Sequence, residues 1–215
     1  MDQAHPDTSL LQAKATIVQR AAETFMRLGI RAMNMADLAS ELGISKKTLY
    51  KYVQDKTELV NECMAWHCDQ MQEVIDSARD SSENTIDAEL QLIQFIHHTT
   101  AQMHPSILFD LRKYHPDAFE LVNERRNQIL QGTVVENIER GQREGLYRLD
   151  VLPEVAAQFL LRLSEHVRAL AESSENTIPL SQLYLQSAMY HIRAISAARG
   201  LEYLEDKIQN ENLFK

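Results

Sequence analysis

Residues 34–59 read NMADLASELGISKKTLYKYVQDKTEL. It divides into a helix, a glycine turn, a short second helix and the start of a third. That is the pattern of a helix-turn-helix, which sets a short helix into the major groove of DNA. Asn34 stands where an N-cap is needed, with Asp37 three residues on as a capping-box partner. Leu38, Ala39 and Leu42 share one helical face and should point to a core. Gly43 can take the left-handed conformation that ends a helix and turns the chain. Ile44 plugs the turn, and Ser45 caps a second helix predicted from Lys46 to about Tyr52, with Leu49 and Val53 inward. Asp55 and Glu58 make the capping pair of the next helix.

Lys46 and Lys47 sit in the first turn of the second predicted helix. There the helix dipole disfavours cations by a few tenths of a kcal/mol, roughly. An anion opposite the helix start, a DNA phosphate or a guanine edge, gives them a reason to be there. The plainer reading is a pair of solvated surface lysines. Tyr50, Lys51 and Tyr52 continue the same face, with one ring expected to tuck partly beneath the short helix. Lys56, at the start of the third helix, is a second candidate phosphate clamp.

The net charge of −9 over 215 residues looks wrong for a DNA binder, but its distribution resolves the conflict. From Ser9 to Lys56 eight cationic residues face four acidic ones, +4, so the remainder carries −13. A basic head on an acidic body orients a protein on DNA and keeps the body off it.

Six glycines, five prolines and no alternating strand pattern predict an all-α fold. Ile17, Val18, Ala21, Ala22, Phe25 and Leu28 repeat at helical spacing, and Gly29 closes that first helix. The residues before about Ser9 are short, polar and Pro-containing, and are expected to be mobile. Further helices are predicted over Lys56 to about Arg79, Ile86 to Met103, a short piece ending at Tyr114, and Asp117 to Glu144. Two more run from Pro153 to about Ser173 and from Pro179 to about Gly200 or slightly beyond. The expected domains are 9–55, the DNA-binding helix-turn-helix, and 56–215, a helical effector-binding and dimerisation domain. Two cysteines, no leader sequence and no apolar run of membrane-spanning length point to a reducing, cytoplasmic setting.

The N-terminal quarter resembles the TetR/AcrR family of bacterial transcriptional regulators. The resemblance rests on Gly29, Leu38-Ala39, Gly43-Ile44-Ser45, the run Thr48-Leu49-Tyr50-Lys51-Tyr52-Val53, and Lys56-Thr57-Glu58-Leu59. Met33 and Asn34 stand where the family has threonines, so the usual phosphate contact falls to Asn34 or is lost. Lys47 replaces a customary Gly or Pro, which should alter the operator read. The expected DNA contacts are Asn34, Ser45, Lys46, Lys47, Thr48, Tyr50, Lys51, Tyr52 and Lys56. A weaker likeness lies in Arg140-Gly141, Glu144-Gly145-Leu146 and Tyr147-Arg148.

The resemblance implies a ligand-responsive repressor on a palindromic double-stranded DNA operator, released by a small-molecule effector. It implies a homodimer through the Pro153 and Pro179 helices, with Val155, Phe159, Leu163, Val167, Leu183, Met189, Ile192 and Ile195 as apolar contributors. Any core would use the same residues. It also implies an effector pocket bounded by the middle helices, with Phe95, Thr99, Met103, Phe109 and Tyr114 as lining candidates that equally fit a plain core.

No Gly-rich phosphate loop, nucleophile elbow or paired metal motif appears, so no catalysis and no cofactor are expected. Cys63 and His67 lie one helical turn apart, but Cys68 diverges from His67 by about 100° on a helix, so no metal site is assigned. The competing class is a helical interaction protein whose DNA-binding domain is vestigial.

Overall fold

The computed structural model describes residues 8–173 and 175–211. The segment before Ser9, expected to be mobile, lies outside them except for Thr8. Among the described residues the chain is all-α. It runs α1 (Thr8–Leu28), α2 (Met35–Glu41), α3 (Lys46–Leu49), α4 (Lys56–Ser81) and α5 (Thr85–Ala101). It continues through α6 (Ile107–Tyr114), α7 (Pro116–Arg143), α8 (Pro153–Ala171), α9 (Leu180–Ile195) and α10 (Ala198–Glu211). None of these helices is long and apolar enough to cross a membrane.

The chain forms two compact units, residues 1–70 with 102–123, and residues 71–101 with 124–215. This differs from a division at 55/56, because the chain returns to the first unit for α6 and the start of α7. In the first unit, Val18, Ala21, Ala22 and Phe25 of α1 join Leu38, Ala39, Leu42, Leu49, Leu59, Val60 and Cys63 in one buried cluster. Gly29 ends α1 at φ 86, and its amide donates to the Phe25 carbonyl at 2.8 Å. A Cβ there would lie 3.0 Å from Ser106 Oγ and 3.2 Å from His104 Nδ1, so both conformation and close approach favour glycine. The His104 amide donates to the Met26 carbonyl at 2.6 Å. The buried Asp110 carboxylate accepts from the Arg31 amide at 3.1 Å and from Ser106 Oγ at 2.8 Å. These bonds hold α6 to the end of α1.

In the second unit α9 packs on α5 and α8. The helix predicted from Pro179 to Gly200 or beyond is in fact two helices. Ser196 is extended (ψ 139) and forms an isolated antiparallel bridge with Tyr147. The Arg148 amide donates to the Ile195 carbonyl and the Ala197 amide to the Leu146 carbonyl, each at 2.9 Å. Backbone groups that would have continued α9 are thus taken by a segment fifty residues away, on the order of a whole helical hairpin in sequence distance. Two glycines make room for it. A Cβ on Gly141 would meet the Tyr147 ring at 2.2 Å, and one on Gly200 would meet the Leu146 carbonyl oxygen at 2.1 Å. The stretch from Arg140 to Arg148 that carried the weaker likeness is therefore the segment that ends α9 and starts α10.

The eight apolar residues expected on the last two helices separate into two groups. Val167, Met189, Ile192 and Ile195 are buried within their own chain, and Leu183 is half-buried. They serve the core, as their spacing allowed. Val155, Phe159 and Leu163 are exposed, Phe159 by 72%, and with Leu152 and Leu170 they form one row along α8.

The glycines give a paired stability test. Gly200→Ala drives a methyl into a carbonyl and should cost about 1–3 kcal/mol. Gly132→Ala, in the exposed interior of α7 with nothing within 4 Å of the added carbon, should instead stabilise by roughly 0.5–1 kcal/mol. Urea unfolding midpoints of the two variants should move in opposite directions.

Candidate nucleic-acid interface

The α2–turn–α3 segment is set by local hydrogen bonds. Asn34 Oδ1 accepts from the amides of Ala36 at 2.8 Å and Asp37 at 3.1 Å, and Asp37 Oδ2 accepts from the Asn34 amide at 3.3 Å. This is the expected capping box, and such a cap contributes about 1 kcal/mol. Because the oxygen is occupied by two amides, the side-chain NH2 is the group with which Asn34 can still donate. Gly43 takes φ 69, and the Ile44 amide returns to the Ala39 carbonyl at 3.0 Å. Ser45 Oγ accepts from the Thr48 amide at 3.0 Å and lies 2.7 Å from Thr48 Oγ1, so both hydroxyls serve the cap.

The second helix of the motif is shorter than predicted. It ends at Leu49 rather than near Tyr52. The Lys51 and Tyr52 amides bond three residues back, to the carbonyls of Thr48 at 3.1 Å and Leu49 at 3.0 Å, which tightens the chain out of the α-helix. A helix of one turn has little macrodipole, so the dipole argument for Lys46 and Lys47 loses most of its force. What remains is their placement. Lys46, Lys47 and Lys51 are exposed and have no carboxylate partner among the described residues. Lys46 Nζ lies 5.8 Å from the centroid of the Tyr50 ring, which is 43% exposed. Thr48 and Tyr52 are half-buried.

Lys56 is placed differently from an open phosphate clamp. It is half-buried near Asp110 and His115, and burial pulls its ammonium pKa below the lysine range, with Asp110 opposing. Burial and Lys56 both push the His115 imidazole down. The third helix is capped as expected by Asp55, whose Oδ1 accepts from the Glu58 amide at 2.8 Å, while the Glu58 carboxylate reaches the Gln54 amide. Charge counting also missed pairing. Lys14 is held by Glu62 at 2.5 Å, and Arg27 by Glu41 at 3.4 Å. The exposed lysines of the motif, like Arg20 and Arg31 outside it, have no such carboxylate among the described residues.

The five effector-pocket candidates fall in both units. Phe95 and Thr99 are half-buried in the second. Met103 packs against the core of the first. Phe109 and Tyr114, 43% and 38% exposed, form an edge-to-face pair at 6.3 Å. The Arg31 guanidinium lies 5.0 Å from the Tyr114 centroid, and Lys113 Nζ lies 5.1 Å from that of Phe109. None of the five lines the cleft of about 450 Å³ in the second unit, which is walled by Glu83, Asn84, Glu144, Leu146, Arg199, Glu202, Tyr203 and Asp206. Among the described residues no cluster of His, Cys, Asp and Glu is arranged to hold a metal ion. Cys63 is fully buried and its thiol donates to the Val18 carbonyl, so burial pushes its pKa far up and leaves it unreactive.

Known proteins are similar to this chain. Residues 17–63 match the family described as bacterial regulatory proteins, tetR family. The HTH-type transcriptional repressor KstR2 of Mycolicibacterium smegmatis is 26% identical over 163 residues, covering 72% of this chain and 78% of that protein. The ketosteroid transcriptional regulator KstR2 of Mycobacterium tuberculosis shares the fold at a TM-score of 0.52 and 20% identity, over 86% of this chain and 95% of that one. A transcriptional regulator from Cytophaga hutchinsonii superposes at a TM-score of 0.69 and 16% identity, over 89% of this chain and 100% of that one. With its capped helix-turn-helix and its second helical unit, the chain is similar to transcriptional regulators of the TetR family, whose family model its residues 17–63 match.

Proposed function

We propose that the protein is a ligand-responsive repressor that binds a palindromic operator as a homodimer and leaves it when a small molecule occupies its second unit. The observation that carries this reading is the cationic edge of the motif: Lys46, Lys47 and Lys51, exposed and unpaired, around a turn fixed by the Asn34 and Ser45 caps. Lysines held so close together without counterions match a phosphate backbone, and Tyr50 beside them can donate its hydroxyl or touch a thymine methyl. That the M. smegmatis relative is a repressor supports the sign of regulation.

Two-fold symmetry is the means of reading a palindrome, with recognition helices about 34–36 Å apart. The exposed row Leu152, Val155, Phe159, Leu163 and Leu170 on α8, with exposed Tyr190 on α9, supplies the apolar face for a four-helix interface between copies. An effector acts only through its differential affinity for the DNA-competent and DNA-incompetent states. Helix α4, which carries residues of both units, is the element we assign to that coupling.

Two measurements test the reading. Titration against promoter DNA over a salt series should show selective, salt-sensitive binding. In Lys46→Glu with Lys47→Glu it should be lost while far-ultraviolet circular dichroism stays the same, and any residual salt slope should fall by about two. Equal weak binding to unrelated DNA would favour the helical interaction protein instead. Phe159→Glu should turn the dimer into a folded monomer by light scattering, because this ring lies outside the core. A variant that stays dimeric would move the interface elsewhere.

A further inference from the structure

Inside the second unit Arg126 is, among the described residues, a cation without a counterion. Its Nη1 donates to the Tyr184 hydroxyl at 3.4 Å and its Nη2 to Asn127 Oδ1 at 3.0 Å. Its Nε is buried and has no partner. Both partners are neutral, and no carboxylate lies within ion-pair distance of the guanidinium among the described residues. The nearest acid in this network is Glu165, one step removed through Asn127 Nδ2 at 3.4 Å and already held by Arg162 at 2.9 Å.

The Tyr184 hydroxyl is a donor as well. The Tyr184 oxygen accepts from Arg126, and because a guanidinium accepts nothing, the tyrosine O–H is left without an acceptor. Burial holds that hydroxyl protonated, with Arg126 opposing. Two turns along the same face of α9, His191 Nε2 is also buried without a partner. On α5, His97 Nδ1 meets the Ser181 carbonyl at 3.3 Å, which joins a fourth helix to those bearing Arg126, Glu165 and Tyr184. A partly buried guanidinium surrounded by neutral groups, with an unused N–H and an unused O–H beside it, is costly in the empty protein.

We infer that Arg126 and Tyr184 anchor a carboxylate group of the effector. This rests on the effector-responsive reading above and names the chemical class of the ligand. A carboxylate takes two parallel N–H bonds from an arginine fork, and the Tyr184 O–H is a third donor. One cation with neutral donors balances a single negative charge. A phosphate dianion would need more positive charge than this site holds.

The test uses the full chain without DNA. Thermal unfolding is followed with sodium hexanoate and with hexanamide, a neutral probe of the same size, at constant ionic strength. Hexanoate should raise Tm by about 2 °C or more at saturation, and hexanamide should not. Arg126→Met should abolish the rise while leaving the ligand-free Tm at or above that of the wild type, because an uncompensated charge has gone. Tyr184→Phe, which keeps the ring, should weaken hexanoate about tenfold, so the assignment is tested even if the arginine variant does not fold. Equal shifts from acid and amide, no shift from the acid, or a shift that survives in Arg126→Met would overturn it. DNA binding without an acid-selective shift removes the anchor alone, whereas an acid-selective shift without DNA binding removes the regulator reading.

Discussion

The proposed DNA-reading face depends on one buried leucine. Helix α3 is a single turn, too short to persist in isolation. Leu49 at its end is fully buried in the cluster that includes Phe25, Leu38 and Leu59. Burying such a side chain is worth roughly 1.5–3 kcal/mol, more than the cap at Ser45 supplies. The lysines of the turn therefore keep their positions because their neighbour is anchored, and the core of α1, α2 and α4 exists in part to receive it. The Gly43 turn and the two caps then fix direction, at little energetic cost.

Charge in this protein works by local placement. The chain is acidic as a whole, yet among the described residues the exposed lysines of the motif have no carboxylate partner, while Lys14 and Arg27 nearby are paired. Lys56 shows why counting is insufficient. Its position in the sequence is that of a phosphate contact, but burial beside Asp110 and His115 ties it to α6 and makes its charge less favourable.

What was legible in the sequence had local causes. Asn34, Gly43, Ser45 and Asp55 act on backbone groups within about four residues, so their capping and turning roles follow from residue type and spacing. The break between α9 and α10 did not, because its cause is Leu146 and Arg148, far away in the chain. Nothing in residues 190–200 announces it, since Gly200 marks close approach to a carbonyl and not a turn. The shortening of α3 also escaped, as the tightened bonds at Lys51 and Tyr52 reflect the demands of Val53 and α4 on the chain that follows. Apolar spacing could not separate the two roles on α8 and α9, because a residue that faces a partner and one that faces the core have the same period. Only burial distinguishes Phe159 from Val167. Arg126 was invisible for a related reason: an arginine on a helix is ordinarily solvated, and only its neighbours make it unusual.

A regulator has reason to keep a poorly compensated cation. Coupling energies between sites are typically about 1–3 kcal/mol, and a ligand shifts an equilibrium only by the difference in its affinity for the two states. An apolar wall offers similar contact to many shapes and discriminates states weakly. A guanidinium with an unsatisfied Nε has a large free-energy difference between empty and occupied forms, concentrated at one point. Arg126 lies on α7 and Tyr184 on α9, so an anion bound to both would fix the separation of two helices that the 3.4 Å hydrogen bond from the Arg126 guanidinium to the Tyr184 hydroxyl now joins. Stability given up in the empty protein becomes the differential affinity on which a switch runs. Replacing the arginine by an apolar residue would improve the fold and remove the signal, which is the trade expected where function rather than stability selects the side chain.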